Sequence, residues 1–111
     1  MSKFVLAPSI LASDFLNLER DLQMIENSQA DWLHIDIMDS CFVPNISFGP
    51  DIVASMNKSF SKFMDVHLMI EKPERYIERF VDAGADMITV HLEASPHLHR
   101  TIQLIKSQGI K

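Results

Sequence analysis

The chain holds one cysteine, Cys41, in 111 residues, so no internal disulfide framework is possible. It has no run of basic residues, and its formal net charge is -5. A nucleic-acid or anionic-membrane partner is therefore not expected. No apolar run approaches the roughly 20 residues that cross a bilayer. The apolar part of the Met1–Pro8 segment is too short for a signal peptide. Low-complexity stretches and flexible linkers are also missing. A soluble cytoplasmic protein is the expectation. The hydrophobic fraction of 47% suffices for one modest core, not two domains.

What is present is alternation. Short apolar runs alternate with longer helical patterns, predicting strand 4–9, helix 14–27, strand 32–38, helix 50–58, strand 63–70, helix 73–83, strand 86–91 and helix 97–107. Ser13 or Asp14 can cap the first helix, with Phe15, Leu18, Leu22 and Ile25 as its stripe. Pro73 suits a first helical turn, and Tyr76, Ile77, Phe80 and Val81 form the third helix's stripe before Gly84 ends it. Gly109 reads as a helix cap, and Ile110–Lys111 as the opening of a fifth strand. Apolar strands separated by helices imply parallel βα units, of which four fit the chain. A closed (β/α)8 barrel needs about 250 residues, so four units make either an open four-stranded α/β layer or half of something larger.

The polar residues inside two of these strands carry the chemistry. His34 and Asp36 share a face of one strand, with Met38 beyond them. Asp65, His67 and Met69 share a face of the next. In parallel α/β folds ligands bind beyond the C-terminal strand ends, where these residues cluster. Two imidazoles and a carboxylate converging there make a plausible divalent-metal site with open positions. Such an ion polarises a substrate carbonyl while a nearby carboxylate takes a proton from the adjacent carbon, chemistry suited to keto-sugar isomerases and epimerases.

Each of these residues also has a plainer reading. A single buried histidine is more often a hydrogen-bonded core residue than a ligand; two with an in-register aspartate shift the balance. Met38 and Met69 alone would be core filler, and Asp39 and Asp65 equally suit cap or ligand-supporting positions. His91 and Glu93 share a face at the end of the fourth strand but are less favoured for direct chemistry. His97 and His99 should face solvent, and Cys41 has no thiolate-activating neighbour in sequence.

Four stretches together resemble the ribulose-phosphate 3-epimerase family: Ala7-Pro8-Ser9-Ile10-Leu11-Ala12-Ser13-Asp14, His34-Ile35-Asp36-Ile37-Met38-Asp39, Phe42-Val43-Pro44-Asn45-Ile46-Ser47-Phe48-Gly49-Pro50 and Asp65-Val66-His67-Leu68-Met69. His91-Leu92-Glu93-Ala94 and Pro96-His97-Leu98-His99-Arg100-Thr101 agree with it. The resemblance implies an α/β fold, the (β/α)8 TIM barrel, with residues 1–111 forming the N-terminal half of a single domain. It implies an isomerase of the pentose phosphate pathway that interconverts ribulose 5-phosphate and xylulose 5-phosphate by C3 proton transfer. His34, Asp36 and His67 would hold one divalent ion (zinc, iron, manganese or cobalt). Asp36 would also be a catalytic acid/base. Ser9, His67, Met38 and Met69 would contact the sugar phosphate. A homo-oligomer is also implied.

An allulose 6-phosphate 3-epimerase and a catalytically silent half-barrel are the alternatives. The family's second catalytic carboxylate and its glycine-rich phosphate loops belong to the other half of the barrel. The sister group that decarboxylates orotidine phosphate uses an Asp-x-Lys strand motif; Asp36-Ile37-Met38 lacks the lysine. The family usually has glycine after the aspartate matching Asp39. If the backbone there takes positive φ, Ser40 carries a strain cost of roughly 1 kcal/mol.

Overall fold

The computed structural model describes residues 4–111. Three strands, β1 (Trp32–Met38), β2 (Phe63–Met69) and β3 (Met87–Thr89), form one sheet in that order. Both pairings are parallel. Four helices precede, separate and follow them: α1 (Leu18–Glu26), α2 (Pro50–Asn57), α3 (Ile77–Asp82) and α4 (Leu98–Ser107). The chain is thus an α/β protein built from βα units, as the alternation predicts. Among the described residues, no helix is long and apolar enough to cross a membrane.

The sheet is two-faced. Leu33, Ile35 and Ile37 of β1, Met64, Val66 and Leu68 of β2, and Ile88 of β3 are buried in the same core as Leu22, Ile25, Val53, Met56, Ile77, Phe80 and Ile105 of the helices. The alternate residues of β1 and β2 are only half-buried. Period-2 alternation produces this directly, since each strand sends successive side chains to opposite faces. Strands covered on both sides, expected of a parallel sheet, are not what these residues show.

Several boundaries differ from prediction, each for a local reason. Residues 4–9 form no regular strand. They run beside β1 and offer it their carbonyls: Leu6 O takes Asp31 N and Trp32 N, and Pro8 O takes His34 N at 2.9 Å. Pro8 has no N–H to return, and Leu6 N is taken by the Asp31 carboxylate at 2.9 Å, so a single bridge, Ser9 to His34, remains. The predicted helix 14–27 splits into a 3-10 turn, Phe15–Asn17, and α1. Asp14 caps the turn by accepting from Leu16 N, and the backbone at Asn17 leaves the helical region. Phe15 therefore leaves the core stripe and is exposed, edge-on to Phe48.

The predicted helix 73–83 likewise breaks at Tyr76 (φ -119) into the turn Pro73–Arg75 and α3, leaving Tyr76 partly exposed. Gly84, at φ +114, ends α3 as expected; a Cβ there would collide with the Asn57 side chain. The fourth predicted strand, 86–91, shortens to β3, and Leu92–Ala94 turns away as a 3-10 turn. Lys111 N donates to Asp86 O and Lys111 O accepts from Ile88 N, the pattern of a parallel neighbour to β3.

The loop after β1 folds back on it. Asp39 pairs with Ile46 in an antiparallel bridge, and Ser40 N donates to Asn45 O at 2.7 Å. This reversal places Ser40 at φ +66, the left-handed conformation that glycine adopts freely.

Two stability measurements check this packing. Leu68→Ala empties a fully buried position in the middle strand and should cost about 2–5 kcal/mol in urea unfolding. Ser40→Gly should instead stabilise by about 0.5–1 kcal/mol, the relief at φ +66 outweighing the extra freedom of the unfolded chain.

Candidate active site

The half-buried face of the sheet is organised in rungs by the register of β1 and β2. Trp32 lies opposite Phe63, His34 opposite Asp65, Asp36 opposite His67, and Met38 opposite Met69. Trp32 and Phe63 stack with ring centroids 4.5 Å apart, an apolar floor at the N-terminal end. Met38 and Met69 close the C-terminal end. Between them lie four ionisable side chains.

His34 bridges two carboxylates: Nδ1 donates to Asp65 Oδ2 at 2.8 Å, and Nε2 lies 2.9 Å from Asp36 Oδ1, the side on which it would meet a cation. Burial alone would lower the His34 pKa, but the Asp65 hydrogen bond and the nearby Asp36 charge outweigh it, and the pKa is raised. His67 Nδ1 approaches the same Asp36 oxygen, at 2.9 Å. His34, Asp36 and His67 thereby bring one ligand atom each to within 4.8 Å of one another. Two imidazoles and a carboxylate match the donor sets of divalent transition metals and leave coordination positions free. Asp65 on the far nitrogen of His34 is the partner a ligating histidine needs to hold its ring.

The other predicted residues fall nearby. Ser9 pairs with His34 through its backbone bridge, and its Oγ accepts from Leu11 N, capping the turn Ile10–Ala12. Asp39 is a loop cap: Oδ1 accepts from Cys41 N and Phe42 N, and Oδ2 accepts from Glu71 N at 2.8 Å. His97 and His99 are exposed, as expected, and Cys41 is exposed and free. A 190 Å³ recess at the same strand ends is lined by Ile37, Phe48, Pro50 and Phe80, beside the helices rather than at the imidazoles.

Two residues matter more than sequence reasoning suggests. Ser47 Oγ donates to Asp36 O and accepts from Met38 N, satisfying the β1 edge beside Asp36 where the 4–9 segment has already turned away. No pattern in the sequence marks it. His91, less favoured for direct chemistry at the end of the fourth predicted strand, puts Nε2 2.6 Å from His67 Nε2. Its same-face partner by sequence, Glu93, is mostly exposed, 3.7 Å from His91 Nδ1.

Comparison with known proteins gives one consistent result. The model of the Ribulose-phosphate 3 epimerase family matches residues 5–111. The chain is 56% identical over 105 residues to the ribulose-phosphate 3-epimerase of Bacillus subtilis, covering 95% of this chain and 48% of that protein. It is 51% identical over 106 residues to the Rhodobacter capsulatus enzyme of the same name (96% and 46%). For the Synechocystis enzyme, identity is 52% over 114 residues (100% and 50%). The chain spans about half the length of the curated relatives it matches.

The Asp39 cap yields a pH signature. Burial raises its pKa, but the backbone N–H groups of Glu71, Phe42 and Cys41 outweigh this and hold the carboxyl below its usual range. The stability it adds is present above the unfolded carboxylate pKa of about 3.9 and is lost as pH falls through the lower folded value. Thermal midpoints should therefore separate wild type from Asp39→Asn at neutral pH and converge as pH falls below the unfolded carboxylate pKa. A gap that stays constant with pH would contradict this assignment.

Proposed function

The chain belongs to the ribulose-phosphate 3 epimerase family, and on that premise we propose that it forms the N-terminal half of a (β/α)8 barrel that epimerises ribulose 5-phosphate and xylulose 5-phosphate at C3. The convergence of His34, Asp36 and His67 at the C-terminal end of the sheet's open face carries this reading. In parallel barrels this end is where substrates bind. The Lys111 hydrogen bonds at the free edge of β3 suit continuation of the sheet into further βα units.

In this reading His34, Asp36 and His67 hold one divalent ion: zinc, iron, manganese or cobalt. The ion supplies positive charge against the ketose oxygen that becomes negative when the C3 proton leaves. Asp36 takes or returns that proton from one face of the resulting enediolate. Its position is well determined, since His34 and His67 fix one carboxylate oxygen and Ser47 secures its backbone. Met38 and Met69, opposite each other at the mouth, keep water and competing bases from the reacting carbon. Ser9, beside His34, and His67 contact the sugar hydroxyls. Inversion requires a second acid on the opposite face. The resemblance assigns that group, and the phosphate-binding loops, to the other half of the barrel. By the same argument the 111-residue chain alone would not turn over.

Metal-replete full-length protein in D2O should convert ribulose 5-phosphate and place deuterium at C3. Chelation should abolish both, and a divalent ion should restore them. Asp36→Asn should lower turnover by about 10²–10⁴. Activity on allulose 6-phosphate in place of ribulose 5-phosphate would move the assignment to that substrate. Neither turnover nor exchange on either substrate would reject it.

A further inference from the structure

Asp65, His34, Asp36, His67 and His91 form one unbroken chain of contacts across the open face, with steps of 2.8, 2.9, 2.9 and 2.6 Å. The first four have roles in the reading above; His91 does not. Its ring centroid lies 4.8 Å from that of His67, with the planes inclined by 30°. At that centroid separation two ring nitrogens can approach little closer than 2.6 Å, and only when both lie on the line joining the ring centres. The rings therefore meet end to end rather than face to face. The contact is an N–H···N hydrogen bond in which one imidazole donates and the other accepts.

We propose that His91 is a positioning residue for His67, gripping its far nitrogen so that Nδ1 stays aimed at Asp36 and at the ion the two share. This rests on the metal-site reading above. A ligating histidine keeps its ring orientation through a partner on the other nitrogen. Asp65 is that partner for His34, and among the described residues His91 Nε2 is the one hydrogen-bond partner recorded at His67 Nε2.

The two partners differ in kind for a physical reason. Asp65 can only accept. A neutral imidazole has one donor and one acceptor nitrogen, so His91 can serve His67 in either tautomer. With Nδ1–H donated to Asp36, His67 Nε2 accepts from His91. With Nδ1 given to a cation, His67 Nε2–H donates to His91, whose own proton then sits on Nδ1, facing the Glu93 carboxylate. His91 is itself held by the Phe42 ring, 5.0 Å between centroids, and the Phe42 N–H is capped by Asp39.

The test uses full-length protein and Co(II) alone, without substrate. His91→Phe, which fills the space but offers no hydrogen bond, should weaken Co(II) binding by about 10–100-fold. His91→Gln, whose amide can donate or accept, should recover most of that loss. Thermal midpoints of both metal-free variants should stay close to wild type. Wild-type affinity in His91→Phe would overturn the proposal, as would equal losses in both variants accompanied by lowered metal-free midpoints. Failure of wild-type protein to bind Co(II) would remove the metal reading itself, and shows before any variant is made.

Discussion

The parallel register of β1 against β2 is the constraint on which the rest of this structure depends. It sets Asp36 opposite His67 and His34 opposite Asp65, and the side-chain contacts between β1 and β2 on the open face follow from those two rungs. A slip of one residue would turn Leu33, Ile35 and Ile37 outward and drive His34 and Asp36 into the helix-packed core. The hydrophobic pattern forbids that. A slip of two residues would preserve the faces but set His34 opposite His67, and Asp36 would lose its partner. The ends of the strands resist it. Trp32 stacks on Phe63 at one end, and Asp39 accepts from Glu71 N at the other. Asp86 ties β3 to the start of β2 by exchanging bonds with Met64: its backbone N donates to Met64 O, and Oδ2 accepts from Met64 N.

The loops around these strands hold the site by satisfying backbone groups the sheet leaves open. Ser47 stands in for a missing strand beside Asp36 and Met38. Asp39 gathers three N–H groups from two loops. Ser40 accepts a left-handed backbone so that this loop can reverse. At the other end of the sheet, the Lys62 ammonium donates to the carbonyls of Ser28 and Ala30, tying the chain after α1 to the start of β2. Each device uses a short-range hydrogen bond to fix a long-range relation between elements.

The long periodic elements were legible in the sequence. β1 has the predicted bounds, and α2, β2 and α4 agree to within a residue, because their alternation or helical stripe is also their burial pattern. Misreadings cluster where a single side chain or proline overrides periodicity: Asp14 splitting the first helix, the junction at Tyr76 splitting the third, and Pro8 leaving 4–9 without a ladder. The triad His34, Asp36 and His67 was legible because it lies inside strands, where spacing fixes the face. Ser47 and His91 were not, because Ser47 lies in the loop before α2 and His91 beyond the end of β3, outside the regular elements in which spacing fixes a face.

The sequence by itself determined which residues share a face: His34 with Asp36, and Asp65 with His67. A strand's two-residue repeat makes that a local property. That Ser40 stands where the family usually has glycine came from the resemblance, and the structure decided that the backbone there is left-handed. Only the tertiary structure decided which histidine nitrogen meets which oxygen, that Asp65 supports His34, and that His91 meets His67 end to end. Those pairings join residues 24 to 31 positions apart. Strand register and loop closure set them, and both are products of the packed whole rather than of any local spacing.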